Sequence, residues 1–273
     1  MKWVGVLLSL TAGVINGVGF TLQKGALNEC STSTYLTNYK WWIGIGCIVT
    51  AELIGGTSFL LLPASVVVAL GSTAVVFSAI FSYFFNRETL DSILVIGTIS
   101  VVTGAVILGI ITPASAQIDS TQDLERILSS WTSVVYQTFV VVISIVMMFL
   151  LKKISIVTLA FYAAAVSSLT IVWIRPLLLS ILLQEHSYLP YVSAAIVGST
   201  AIWAAFVLEP LGLTRYMQTQ WVPVHFVACI LLFGLAGELV YGDLQNVRWN
   251  TFATALPAIL LVLWGVFLLT SKR

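Results

Sequence analysis

Apolar runs of roughly 20 residues recur along this chain with short polar stretches between them, and that recurrence leaves few folds open. As a helix rising 1.5 Å per residue, such a run matches a hydrocarbon core about 30 Å thick. Inside lipid the backbone polar groups must be satisfied within the segment or in a closed barrel, and runs this long and continuous read as helices. About nine are present, near 3–22, 41–62, 64–86, 92–112, 131–151, 155–175, 190–208, 219–241 and 251–270. Only 8% of the 273 residues are charged, too few to cover a soluble globule of this length. The expected fold is therefore an all-α polytopic membrane protein, a single transmembrane domain over 1–273. The first run follows Met1-Lys2, and its length, with no small-residue cleavage site before the next polar stretch, favours a spanning helix over a signal peptide.

The connections are short. Pro63 alone divides the second run from the third, which predicts a tight hairpin, and the sixth is expected to continue past Arg175-Pro176 to Leu183 as a proline-broken helix. Polar loops are expected at 23–40, 112–130, 184–189, 209–218 and 241–250. With nine spans, Lys24, Lys40, Arg87, Lys152, Lys153, Arg215, Lys272 and Arg273 fall on one side and Lys2, Arg126, Arg175 and Arg248 on the other. That division predicts an outside N-terminus and a cytoplasmic C-terminus. Glu88 and Glu238 each precede a last helix carrying a glycine, Gly104 or Gly265. This echo suggests an inverted repeat, about 1–152 and about 153–273, of the kind that places a binding site at the membrane midplane.

Glu52 stands near the middle of the second run. An acidic residue at the centre of a spanning helix costs roughly 2.5–3.5 kcal/mol on insertion scales, so it faces a wet cavity, a partner charge or a bound cation, or else it is a protonated hydrogen-bonding group between helices. Gly55 and Gly56, one turn on, remove side chains beside it and let a neighbouring helix or a hydrated ion approach. Asn16 and Gln220 are candidate oxygen donors and equally candidate interhelical hydrogen bonders; His225 reads as a solute contact or as a core residue. Arg175 is either a charge partner for Glu52 or an anchor at the membrane surface. Arg87 and Glu88 read as an exposed charge pair of little energetic weight, and Trp41-Trp42 as part of an aromatic belt.

Several function classes drop out. Two histidines, His186 and His225, give no triad and no HExxH; CxxC and Walker A sequences are also missing. An enzyme or an ATP-driven pump is thus disfavoured, and no cofactor is expected. A net charge of +1 without a basic run argues against nucleic acid. Cys30, Cys47 and Cys229 form no disulfide framework.

A spaced pattern connects the first half. It runs Trp41-Trp42-Ile43-Gly44, Glu52, Pro63-Ala64, Leu70-Gly71, Glu88, Gly97, Gly104 and Pro113, with Lys24-Gly25 after the first run. This pattern resembles the NIPA, or ichthyin-like, family of magnesium transporters in the drug/metabolite transporter superfamily. The resemblance implies nine spans, an outside N-terminus and a divalent cation as solute. The chain departs from the family pattern at Gly55 and Ala69, where asparagine and proline are usual, and in the polar-poor stretch Ile202–Val207; Arg175 stands where lysine is usual.

The expected activity is movement of Mg²⁺ or a related divalent cation without ATP, through a plasma membrane or endomembrane. Glu52 would be its transient metal ligand, since Mg²⁺ keeps several waters and is usually met by only one or two carboxylates. Two alternatives stay open: a carrier of a small organic solute, favoured by the apolar stretch at 202–207, and a non-transporting membrane scaffold.

Overall fold

In the computed structural model the described residues are 2–30, 34–58, 70–89, 91–111, 121–150, 154–182, 188–241 and 249–271. They form eleven α-helices: α1 Lys2–Glu29, α2 Tyr39–Ser58, α3 Thr73–Phe85, α4 Ser92–Ile111, α5 Thr121–Leu128, α6 Trp131–Leu150, α7 Ile156–Leu182, α8 Leu189–Trp203, α9 Glu209–Arg215, α10 Gln218–Ala236 and α11 Trp249–Ser271. Single π turns at Ala204–Leu208 and Gly237–Tyr241 continue α8 and α10. Five stretches are long and apolar enough to cross a membrane: Trp3–Glu29, Trp131–Leu150, Ile156–Ile174, Leu189–Arg215 and Gln218–Tyr241. Thr73–Phe85, Ser92–Ile107 and Ala255–Ser271 are shorter apolar helices. Large apolar side chains such as Leu53, Phe84, Phe139 and Phe149 stay exposed, as expected of a surface solvated by lipid.

The chain forms two compact units. The first joins 1–114, 210–227 and 247–273; the second joins 115–209 and 228–246. In the first, glycines set the spacing. A Cβ on Gly44 would sit 2.9 Å from the carbonyl of Gly19, and one on Gly19 would sit 3.0 Å from that of Gly44, so α1 and α2 meet backbone to backbone. Gly19 lies against Ile48 and Gly55 against Ala12, a register that makes the pair antiparallel. Gly13 and Gly17, one turn apart, lie against Thr73 and Phe77 of α3, which therefore runs parallel to α1. α4 and α11 repeat the device: Gly97 faces the carbonyl of Gly265, and Gly265 faces that of Gly97. Small residues at such seams are the usual route to close helix packing in lipid, where no hydrophobic drive separates helix from tail.

At Gly104 an added Cβ would lie 2.8 Å from the carbonyl of Ala258 and 2.5 Å from Val262. The first clash is with backbone, which cannot yield as a side-chain tip does. Gly104→Ala is therefore expected to destabilise the protein by about 1–3 kcal/mol, read as a lower melting temperature in detergent; an unchanged melt would mean that the α4–α11 seam is loose.

The second unit is built around α7. Tyr136, Val140, Ala165, Leu169, Val172, Leu189, Ala236 and Val240 form its core. Three polar pairs cross between its helices: Tyr136 with Ser168 at 2.7 Å, Trp173 Nε1 donating to Gln137 Oε1 at 2.9 Å, and Tyr241 Oη donating to the Val172 carbonyl at 2.5 Å.

Several expectations are corrected. The stretch expected as a loop from residue 23 stays helical to Glu29, and that expected at 209–218 is helical through Arg215. Both helices accommodate residues that usually punctuate one, Gly25, Pro210 and Gly212, so polarity and breaker residues misled together. The 112–130 connection contains α5. Trp41 is no belt residue: it is fully buried, its ring edge-on to Tyr35 at 4.6 Å, whereas Trp42 is half exposed. α7 passes through Pro176 and reaches Leu182 as one helix. The Pro63 hairpin, Lys152-Lys153, His186 and Lys272-Arg273 lie outside the described residues.

Candidate functional site

α2 packs on α1 through Trp41, Gly44, Ile48, Ala51 and Gly55, a 3–4 spacing that puts Glu52 on the flank of that stripe rather than in it. Ala51 is buried while Glu52 and Leu53 are exposed. The Glu52 carboxylate takes no hydrogen bond or ion pair from any described residue; the ion pair observed among them joins Lys40 to Glu29. The antiparallel register, with Gly55 on Ala12 and Ile48 on Gly19, sets Glu52 level with Ile15 and Asn16. Asn16 is half-buried, and its Oδ1 atom is buried with no hydrogen-bond partner. α1 and α2 thus bring Asn16 and Glu52 to one level, with Gly55 about one turn away. Gly55 has Ala12 opposite it, 3.9 Å from where its Cβ would be, so a neighbouring helix occupies that face. Gly56 follows it on α2.

Gln220 and His225 belong to α10. At 100° per residue their five-residue separation puts them on different faces. His225 stacks on Trp221, ring centroids 5.3 Å apart at 18°. Trp221 is held in turn by Gly212, where any Cβ would fall 2.2 Å from the indole. Arg175 lies within α7, one residue before Pro176; its side chain is outside the described set. Among the described residues, no three His, Cys, Asp or Glu side chains cluster as a metal site.

The polar centre that sequence reasoning missed lies at the end of the first unit where α1 and α3 stop and α10 starts. Glu88 accepts hydrogen bonds from the backbone N–H of Gln218 at 2.8 Å and of Thr219 at 3.0 Å, and from the Thr219 hydroxyl at 3.0 Å. Lys24 Nζ donates to the carbonyls of Leu213 and, at 2.9 Å, Tyr216. An anion thus sits at the start of α10 and a cation at the end of α9, each opposite in sign to the helix terminus it meets. Gln218, fully buried, donates to Thr21 Oγ1 at 3.0 Å and to the Ser78 carbonyl at 3.2 Å, and accepts from Asn86 Nδ2 at 3.0 Å.

This arrangement overturns the reading of Arg87 and Glu88 as an exposed pair. Arg87 adopts a left-handed backbone, φ 55°, just after α3, and the Glu88 N–H returns to the Ser82 carbonyl at 3.3 Å. The chain reverses there and carries Glu88 toward α10 while Arg87 stays exposed. Partners more than 100 positions apart leave no local sequence signal. Lys24 was assigned to a polar loop, where it needed no acceptor; within α1, which runs to Glu29, it does.

A cavity of about 440 Å³ in the second unit is lined by Arg126, Ile127, Ser130, Thr132, Glu238 and Tyr241; Glu52 is not among its walls.

Residues 1–273 match the family described as "Magnesium transporter NIPA". The chain is 21% identical over 288 residues to "Probable magnesium transporter NIPA1" of Arabidopsis thaliana, covering 98% of this chain and 86% of that protein. To "Magnesium transporter NIPA3" of Homo sapiens it is 22% identical over 293 residues, 99% of this chain and 71% of that protein. "NIPA-like protein 2" of Homo sapiens is 22% identical over 283 residues, 98% of this chain and 73% of that protein. No solved structure matches the chain. A polytopic helical chain matched to the family from its first residue to its last is a member of the NIPA magnesium transporter family.

Proposed function

We propose that this protein moves Mg²⁺, or a related divalent cation, across a cellular membrane without ATP and without covalent chemistry, and that Glu52 is the anionic group the cation meets. The observation that carries the reading is a carboxylate on an apolar helix, at a residue on the flank of the α1–α2 seam, with no hydrogen-bond or ion-pair partner among the described residues, in a chain whose relatives are named for magnesium transport. Intramembrane ionisable residues in such positions mark ion pathways. Asn16 supplies an amide oxygen at the same level. Gly55 and Gly56 put no side chain in the way of a hydrated cation approaching the carboxylate. The chain spans the membrane nine times as an inverted repeat, about 1–152 and about 153–273, with its N-terminus outside. Its membrane is the plasma membrane or an endomembrane.

Uptake by proteoliposomes tests the activity: Mg²⁺ should enter down its gradient with no nucleotide present. Uptake of a small organic solute without Mg²⁺ would favour the carrier alternative, and neither would favour a scaffold. For topology, the division of basic residues predicts that a cysteine at position 272 is labelled only after permeabilisation and one at position 123 is labelled in intact cells. Labelling of position 272 from outside would reverse the orientation.

A further inference from the structure

Along α1, Ser9, Asn16 and Gln23 follow one another at seven-residue intervals, about 10.5 Å apart and nearly in line on one face. Each holds a buried side-chain oxygen with no hydrogen-bond partner: Ser9 Oγ, Asn16 Oδ1 and Gln23 Oε1, the last accompanied by its unpartnered Nε2. Ser9 is 3% exposed and Gln23 fully buried. A buried polar group left unmatched is costly, so native structures retain one where a water, an ion or a catalytic step requires it. Three in register on one spanning helix, with Glu52 level with the middle one, form a line of acceptors without donors.

What would supply the donors follows from the ligand inventory. Stripping Mg²⁺ requires about six oxygens at 2.0–2.1 Å in octahedral array, and this ion gives up its waters reluctantly. Among the described residues no cluster of acidic or imidazole ligands exists to replace them; Glu52 stands alone at its level. Metal-bound waters, by contrast, are strong donors pointing outward in all directions. They suit single acceptors spaced further apart than one coordination sphere.

We infer that the cation passes along α1 as its hydrate, with Ser9, Asn16 and Gln23 accepting hydrogen bonds from its bound waters and Glu52 attracting its charge through them. This rests on the reading of the protein as a divalent-cation transporter. In the present conformation Glu52 is accessible while Ser9 and Gln23 are enclosed, so the line is closed at those two levels.

Cobalt(III) hexaammine tests the inference, because its ligands do not exchange and its size and donor array imitate hydrated Mg²⁺. It should raise the melting temperature of the detergent-solubilised parent and inhibit Mg²⁺ uptake by proteoliposomes. Asn16→Leu and Gln23→Leu should each raise the hexaammine concentration needed for both effects by about ten-fold, the worth of one hydrogen bond to a charged group. Gln23→Leu should melt no lower than the parent, since it removes an unmatched amide; a lower melt would make Gln23 a structural group and overturn its part in the line. If the parent takes up Mg²⁺ yet hexaammine neither inhibits uptake nor shifts the melt, the hydrate inference is wrong and the transport reading stands. If the parent takes up no Mg²⁺, the transport reading is wrong, and the melting shift with its loss in Asn16→Leu decides the hydrated-cation site alone.

Discussion

Glu52→Gln should abolish divalent-cation uptake in a protein that still folds and inserts. Glutamine keeps the size of the side chain and removes only the charge. Because Glu52 has no hydrogen-bond or ion-pair partner among the described residues, the exchange breaks no contact there, and a neutral amide costs less than a carboxylate among apolar surroundings. The melting temperature in detergent should therefore stay level or rise. Uptake should fall by about 100-fold or more, since a unit charge against a divalent ion at an effective dielectric near 20 is worth several kcal/mol even across a layer of water. Uptake equal to the parent's, in equal amounts of folded protein, would make the carboxylate structural and leave the organic-solute and scaffold readings in possession.

The opposite signature is expected at Glu88. Its carboxylate receives three hydrogen bonds at the start of α10, and alanine would strand the N–H groups of Gln218 and Thr219 together. Loss of a helix-terminal acceptor costs about 0.5–2 kcal/mol, and hydrogen bonds to charged groups lie at the upper end of the range. Glu88→Ala should lower stability by about 2 kcal/mol, with reduced yield of folded protein, while the fraction that folds should transport normally. Full stability would mean that Gln218 and the neighbouring Asn86 hold α10 without it. The two glutamates therefore separate by readout: one changes flux without changing the melt, the other changes the melt first.

The architecture was legible where physics acts locally. Apolar runs near 20 residues announce spanning helices, whereas the close seams at Gly44 and Gly97 emerge only from the fold. Which glycine meets which was beyond reach, because Gly97 and Gly265 come together only through the fold. Glu52 stood out as a charge in the wrong solvent, and the structure leaves it accessible. Glu88 was misread for the converse reason: beside Arg87 in sequence, it looked satisfied by its neighbour, while the left-handed turn at Arg87 turns it toward groups 130 positions away. Asn16 was weighed as a donor from its type alone; Ser9 and Gln23 went unnoticed, since a serine and a glutamine near helix ends are ordinary until their atoms are found buried and unmatched.

The first compact unit takes its pieces from the beginning, the middle and the end of the chain, and this has a consequence for biogenesis. α4 leaves the ribosome well before α11, which covers the face bearing Gly97 and Gly104 and begins more than 130 residues further along. Until then α4 stands in the bilayer with its closest neighbour missing, and the clamp on α10 is assembled only after residue 219 has emerged. Membrane insertion and final packing are thus separated in time. A nascent chain stalled before residue 249 would be integrated but unfinished, the form a quality-control protease should recognise.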